Sequence, residues 1–131
     1  MMSPVIACWV ALGSALGGVA RYWCSGLAAN WFGETFPWGT LIVNILGSFL
    51  IGLIATLTSP DGRLMVSPET RQFMMVGIIG GFTTFSSFSL QTLRLTQDGD
   101  WLPAGLNVVG SVAACLIMVW AGHVTAAILN R

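Results

Sequence analysis

The chain has 131 residues, of which 55% are hydrophobic and only 8% are charged, and its mean hydropathy is +0.81. Soluble domains carry roughly a quarter charged residues, so this composition indicates a membrane protein. Five arginines balance five acidic residues and lysine is absent, which excludes the basic surface that a nucleic-acid-binding protein needs.

Four apolar segments follow one another along the chain, each near the roughly 20 residues that cross a bilayer. They cover residues 4–29, 38–57, 73–95 and 102–129. The first has no preceding basic residue and is too long for a cleavable signal core, so we interpret it as a retained span. The sequence therefore predicts an all-α integral membrane protein in which residues 1–131 form one four-span domain.

The spans also carry small residues at helical spacing, which allow close approach of helices in a membrane. The pairs are Gly13 and Gly17, Ser48 and Gly52, and Gly77 and Gly81. We interpret each pair as a helix-packing contact without chemistry of its own.

The arginines give little preference for one orientation in the membrane. With four spans, Arg63, Arg71 and Arg131 lie on one side, and Arg94 and Arg21 belong to the other. Orientation follows the Lys/Arg asymmetry of short loops, and a three-to-two division is a weak signal. Such a chain can insert both ways round, which makes an antiparallel dimer available to a single gene product.

The polar residues within the spans exclude several classes of protein. The predicted spans contain no Asp or Glu, and a proton-coupled exporter needs a titratable group in its pathway. The chain also has no acid/base pair, metal-ligand cluster or phosphate-binding loop, so we do not expect an enzyme. His123, near the end of the fourth span, is predicted to have an interfacial or capping role.

The third span contains the most polar stretch, "GGFTTFSSFS", residues 80–89. Hydroxyl groups and the positive edges of phenylalanine rings suit a pathway for a small dehydrated anion. The alternative is an apolar stripe whose hydroxyls bond to helix carbonyls; residue chemistry alone leaves both open. Gly80 and Gly81, followed by Thr83 and Thr84, predict a break near the middle of this helix, and carbonyls freed by a break can hold a cation.

Four motifs resemble those of the Fluc (CrcB) family of fluoride channels. They are "LGSALGGVARYW", "PWGTLIVNILGSFLIGL", "GGFTTFSSFS" and, more loosely, "NVVGSVAACLIMVWAG". The resemblance covers essentially the whole chain. It implies an antiparallel, dual-topology homodimer in the bacterial plasma (inner) membrane. It also implies passive export of fluoride, which lowers cytoplasmic fluoride and its toxicity, and a structural Na⁺ that is not transported.

The resemblance also implies roles for individual residues. Phe85 and Phe88, but not Phe82, would be the pore phenylalanines, Asn44 a pore-lining donor, and Ser111 the polar track of the fourth span, with Thr84 and Ser87 as secondary pore residues. Backbone carbonyls of Gly80 and Thr83 would hold the Na⁺, and Arg21 would be a vestibule charge or a purely structural one. A family tyrosine one turn before Ser111 is replaced here by Asn107, and Cys115 is the next polar position.

Two other functions stay open at this level. A small dual-topology coupled exporter would share the four-span architecture, but it would need a carboxylate in the membrane. A non-transporting assembly subunit would tolerate alanine at the hydroxyl positions of the third span.

Overall fold

The computed structural model describes residues 2–131, and every regular element in that range is a helix. Three spans are continuous helices: α1 (Pro4–Phe32), α2 (Trp38–Leu57) and, at the end of the chain, α6 (Trp101–Leu129). The third span consists of α3 (Pro68–Gln72), a π-helical segment (Phe73–Ile79), α4 (Gly80–Phe82) and α5 (Phe85–Gln97). Together they give four helices long and apolar enough to cross a membrane, which confirms the predicted all-α, four-span class.

The third span begins earlier than the apolar pattern predicts, at Pro68 and not at residue 73. Ser67 caps this helix by accepting a hydrogen bond from the Thr70 amide at 3.2 Å, and proline suits the first helical position because its missing N–H would have no partner there. Glu69 consequently lies in the first turn of the span. The predicted absence of acidic residues therefore holds for the body of the spans but not for this end.

Glycines set the closest contacts between helices. A Cβ on Gly52 would overlap the Val119 carbonyl oxygen of α6, and one on Gly122 would overlap the Phe49 carbonyl oxygen of α2. Gly13 of α1 meets Gly77 of the π-helical segment backbone to backbone in the same way. Small residues thus bring α2 against α6 and α1 against the third span, as their spacing predicts.

The backbone between α4 and α5 is extended at two residues. Thr83 has φ −83° and ψ 157°, and Thr84 has φ −153° and ψ 112°. Gly80 is helical, with φ −62° and ψ −36°, and Gly81 packs directly against the Ser14 backbone of α1. The extended pair is therefore formed by the β-branched residues, for which extended backbone is favourable, while the neighbouring glycines allow helix contact.

The connector after α2 folds against the end of α6. The Arg63 guanidinium donates to the Leu129 carbonyl at 3.1 Å, and the Arg63 amide donates to Asn130 Oδ1 at 2.9 Å. The Arg71 guanidinium donates to Thr58 Oγ1 at 3.2 Å. These contacts gather the second connector and the C-terminus at one end of the bundle, as expected for an even number of spans.

Candidate functional site

A cavity of about 370 Å³ lies between α2, the extended pair and α6, and it opens at the surface of the chain. The third span departs from helical geometry at this wall of the cavity. The lining residues are Asn44, Gly47, Ser48, Ile51, Ile79, Thr83, Thr84, Phe85, Phe88, Ser111, Val112, Cys115 and Leu116. None of them is an acidic or basic residue.

The cavity brings together five of the six residues that the resemblance to the channel family implies for the pore. These are Asn44, Thr84, Phe85, Phe88 and Ser111, and they come from three different spans. The sixth, Ser87, is not part of the lining, but it is hydrogen-bonded to Thr84, whose hydroxyl donates to Ser87 Oγ at 3.0 Å.

The two phenylalanines of α5 lie next to each other and differ in exposure. Their ring centroids are 5.3 Å apart with an angle of 47° between the ring planes. Phe88 is 8% exposed, whereas Phe85 is 75% exposed at the open side of the cavity. Phe82 is buried and does not line the cavity; its amide lies close to Gly17 of α1. The two cavity phenylalanines are thus the pair predicted for the pore.

Asn44 holds the extended backbone of the third span in place. Its Nδ2 donates to the Thr84 carbonyl at 3.0 Å, and its Oδ1 accepts from the Thr84 amide at 2.8 Å. Both backbone groups would otherwise be buried without a helical partner, because Thr84 is only 8% exposed. A side-chain amide has two N–H groups, so one remains available to the cavity.

Thr84 also starts α5. Its Oγ1 accepts from the Ser87 amide at 3.2 Å, which is an N-cap bond. Gly47 of α2 makes room for this arrangement, since a Cβ there would overlap the methyl group of Thr83. The two bonds from Asn44, the N-cap bond of Thr84 and the space left by Gly47 therefore hold the extended pair in place.

A second asparagine, Asn107, joins α5 to α6 behind the cavity. It is 2% exposed. Its Nδ2 donates to Thr92 Oγ1 at 2.9 Å, and its Oδ1 accepts from Ser111 Oγ at 3.2 Å. The position that departs from the family pattern is therefore a structural link between two spans, and Ser111 is the member of that link that reaches the cavity.

The sequence reasoning did not assign Asn107 or Ser48 to the site. Ser48 lines the cavity, and its hydroxyl makes no hydrogen bond with residues 2–131, so it is open to a ligand. Both residues are polar positions in otherwise apolar helices, and this pattern could have indicated that they belong to the site. Ser48 was interpreted through its small size, as half of a packing pair with Gly52.

Arg21 lies outside the cavity lining, and no hydrogen bond or ion pair joins it to the part of the chain that the structure describes. Gly80 also lies outside the lining and is exposed on the single chain. His123 pairs with Thr56 of α2, Nδ1 to Oγ1, at 2.9 Å. The last contact joins α6 to α2, and the interfacial or capping role of this histidine stays a prediction.

Four apolar spans, three of which line an uncharged cavity with aromatic, hydroxyl and amide groups, define a multi-pass membrane protein suited to passage of a small ion. The sequence matches the family described as CrcB-like protein, Camphor Resistance (CrcB), over residues 8–123. The chain belongs to this family.

Curated relatives are similar over nearly their whole length. A protein of Paramagnetospirillum magneticum named fluoride-specific ion channel FluC is 68% identical over 122 residues, which cover 93% of this chain and 95% of the relative. Proteins with the same name from Opitutus terrae and Rhodospirillum rubrum are 62% and 60% identical, over 93% and 94% of this chain and 92% and 95% of the relatives.

Proposed function

We propose that this protein is a fluoride-selective ion channel that exports fluoride passively and so reduces its cytoplasmic concentration. The observation that carries the proposal is the cavity, which joins Phe85 and Phe88 to Asn44 and Ser111. Ring edges, an amide N–H and hydroxyls can replace part of the water shell of a small anion without a charge that would trap it. Relatives at 60–68% identity carry the name of such a channel.

We also propose that the working unit is an antiparallel homodimer in the bacterial plasma membrane. The cavity opens at the surface of a single chain, where Phe85 is 75% exposed. Polar lining that faces hydrocarbon is unfavourable, and a second copy of the chain would cover it. The weak arginine asymmetry allows the opposite insertion that an antiparallel pair requires.

The proposal includes a structural Na⁺ held by the carbonyls of Gly80 and Thr83. In an uninterrupted helix these carbonyls would accept from the amides four residues later. The Thr84 amide instead donates to Asn44 Oδ1, and the Ser87 amide donates to Thr84 Oγ1. Neutral oxygens without their helical donors fit a monovalent cation. When bound, the ion would supply a fixed positive charge near an anion pathway that has none of its own.

A coupled exporter fits this site less well. The residues that line the cavity include no carboxylate or histidine, and Glu69 lies in the first turn of the third span. A titratable group that binds the driving proton must be reached by the substrate pathway, so a passive channel is the better assignment.

The test is fluoride efflux from liposomes that contain the purified protein, measured with a fluoride electrode beside a chloride electrode. We expect rapid fluoride release with chloride retained, and no release from protein-free liposomes. Repeating the assay with sodium replaced by N-methylglucamine tests the cation separately, since only the sodium proposal predicts a loss of flux. Folded protein that releases no fluoride in sodium would contradict the channel assignment and favour a non-transporting subunit.

A further inference from the structure

Four polar groups beside Phe88 form a hydrogen-bonded chain whose direction is determined by its acceptors. The Phe88 carbonyl can only accept, and Thr92 Oγ1 donates to it at 2.8 Å. A hydroxyl has one proton, so Thr92 must accept from Asn107, which places Nδ2 toward Thr92 and Oδ1 toward Ser111. Ser111 is therefore the donor in its 3.2 Å contact with Asn107.

This direction determines what Ser111 presents to the cavity. Its only proton is directed at Asn107 Oδ1, so the cavity side of the hydroxyl shows oxygen lone pairs. Asn107 is 2% exposed, and its Oδ1 has no other donor among residues 2–131. An anion at Ser111 can receive the proton only when the bond to Asn107 opens, and the buried amide oxygen then loses its donor.

We propose that Asn107 is a positioning residue that sets the direction of the Ser111 hydroxyl and thereby lowers the affinity of this part of the cavity for a small anion. The inference rests on the proposed function, with fluoride as the anion. Competition between Asn107 Oδ1 and the ion for one proton keeps the ion weakly held, which favours its release.

The experiment compares four proteins: wild type, Asn107→Leu, Ser111→Ala and the double variant. Leucine has the same number of heavy atoms and the same branching as asparagine, and it removes the competing acceptor. The measured quantity is the fluoride concentration that gives half-maximal current in planar bilayers. We expect Asn107→Leu to lower it about two- to fivefold. One hydrogen bond is worth about two- to twelvefold, and the backbone carbonyl of residue 107 still competes for the hydroxyl, which keeps the effect in the lower part of that range.

The Ser111→Ala background separates positioning from structure. Without the hydroxyl, Asn107→Leu should leave the half-saturating concentration unchanged, as a double-mutant cycle requires for an effect transmitted through Ser111. A shift of equal size in both backgrounds, or an increase in wild type, would overturn the proposal. If Asn107→Leu does not fold, Asn107→Met provides the same test, because methionine adapts to irregular space.

The two proposals fail in different ways. A folded wild-type protein that carries no fluoride current contradicts the channel assignment and this inference together. A wild-type current with identical effects of Asn107→Leu in both backgrounds contradicts this inference alone.

Discussion

Replacing Asn44 with leucine should strongly destabilise the third span. The Asn44 side chain makes two hydrogen bonds, at 3.0 and 2.8 Å, to the carbonyl and amide of Thr84. Thr84 is 8% exposed, so both backbone groups would be left buried and unpaired. Each such group costs about 1–3 kcal/mol, which gives an expected loss of about 2–6 kcal/mol.

The free energy of unfolding can be measured by titrating the protein with sodium dodecyl sulfate in mixed detergent micelles and following helicity. Asn30→Leu is the matched control, because Asn30 is an exposed residue of α1 and has no hydrogen-bond partner among residues 2–131. The control should change stability by less than about 0.5 kcal/mol, as surface substitutions usually do. Fluoride efflux of Asn44→Leu should fall with stability, since the extended pair forms one wall of the cavity.

The reasoning would be refuted by an Asn44→Leu protein as stable as the Asn30→Leu control. That result would mean that Thr84 finds other partners, such as water that enters from the cavity. The two hydrogen bonds from Asn44 would then not be what maintains the extended backbone. Reduced efflux with unchanged stability would instead assign Asn44 a role in the pathway alone.

The other predictions concern the cavity wall and the helix contacts. Phe85→Ile and Phe88→Ile should each reduce fluoride efflux about two- to tenfold because the ring edge is lost. Phe88→Ile should also cost about 1–3 kcal/mol because that ring is buried. Normal efflux in both variants would exclude the ring-edge role. Asn44→Asp should keep the hydrogen bond from the Thr84 amide and lose the hydrogen bond to the Thr84 carbonyl. It should reduce efflux by placing a negative charge in an anion path. Unchanged efflux would mean that Asn44 does not line that path. Gly52→Ala should lower stability by about 1–3 kcal/mol, since its methyl group would overlap α6. Gly18→Ala is the control and should not lower stability, because no atom lies within 4 Å of the added Cβ. Equal stability of the two alanine variants in the detergent titration would contradict the packing model.

The four spans could be predicted from the sequence because hydropathy and length are local properties. The apolar runs gave the number of helices, and the glycine pairs indicated which surfaces pack, as Gly13 against Gly77 illustrates. The start of the third span at Pro68 was missed because it depends on a cap at Ser67 and not on hydropathy. Gly80 and Gly81 followed by Thr83 and Thr84 were the predicted region of a break, and within it the extended residues are Thr83 and Thr84.

The sequence indicated which residues line the cavity but not which hydrogen bonds connect them. Resemblance to the channel family selected residues from three spans, and five of the six pore candidates line one cavity. The partners of those residues are set by distances between spans, which a single sequence does not contain. The bonds from Asn44 to Thr84, 40 residues apart, and from Asn107 to Thr92, 15 residues apart, are of this kind.

The hydrogen bonds around the cavity explain how a polar wall can avoid holding an anion tightly. Ser111 directs its proton at Asn107, and Thr84 directs its proton at Ser87. The donors left open to the cavity are the second N–H of Asn44, the hydroxyl of Ser48 and the weakly donating thiol of Cys115. Most donors in this wall are hydrogen-bonded to the protein. An ion therefore finds a few free donors, and it reaches the others only when their bonds within the protein open. Conduction requires that an ion enter and leave at comparable free-energy cost, and donors that are already hydrogen-bonded meet this requirement by holding the ion weakly. Freeing one of these donors should therefore tighten ion binding and slow ion release.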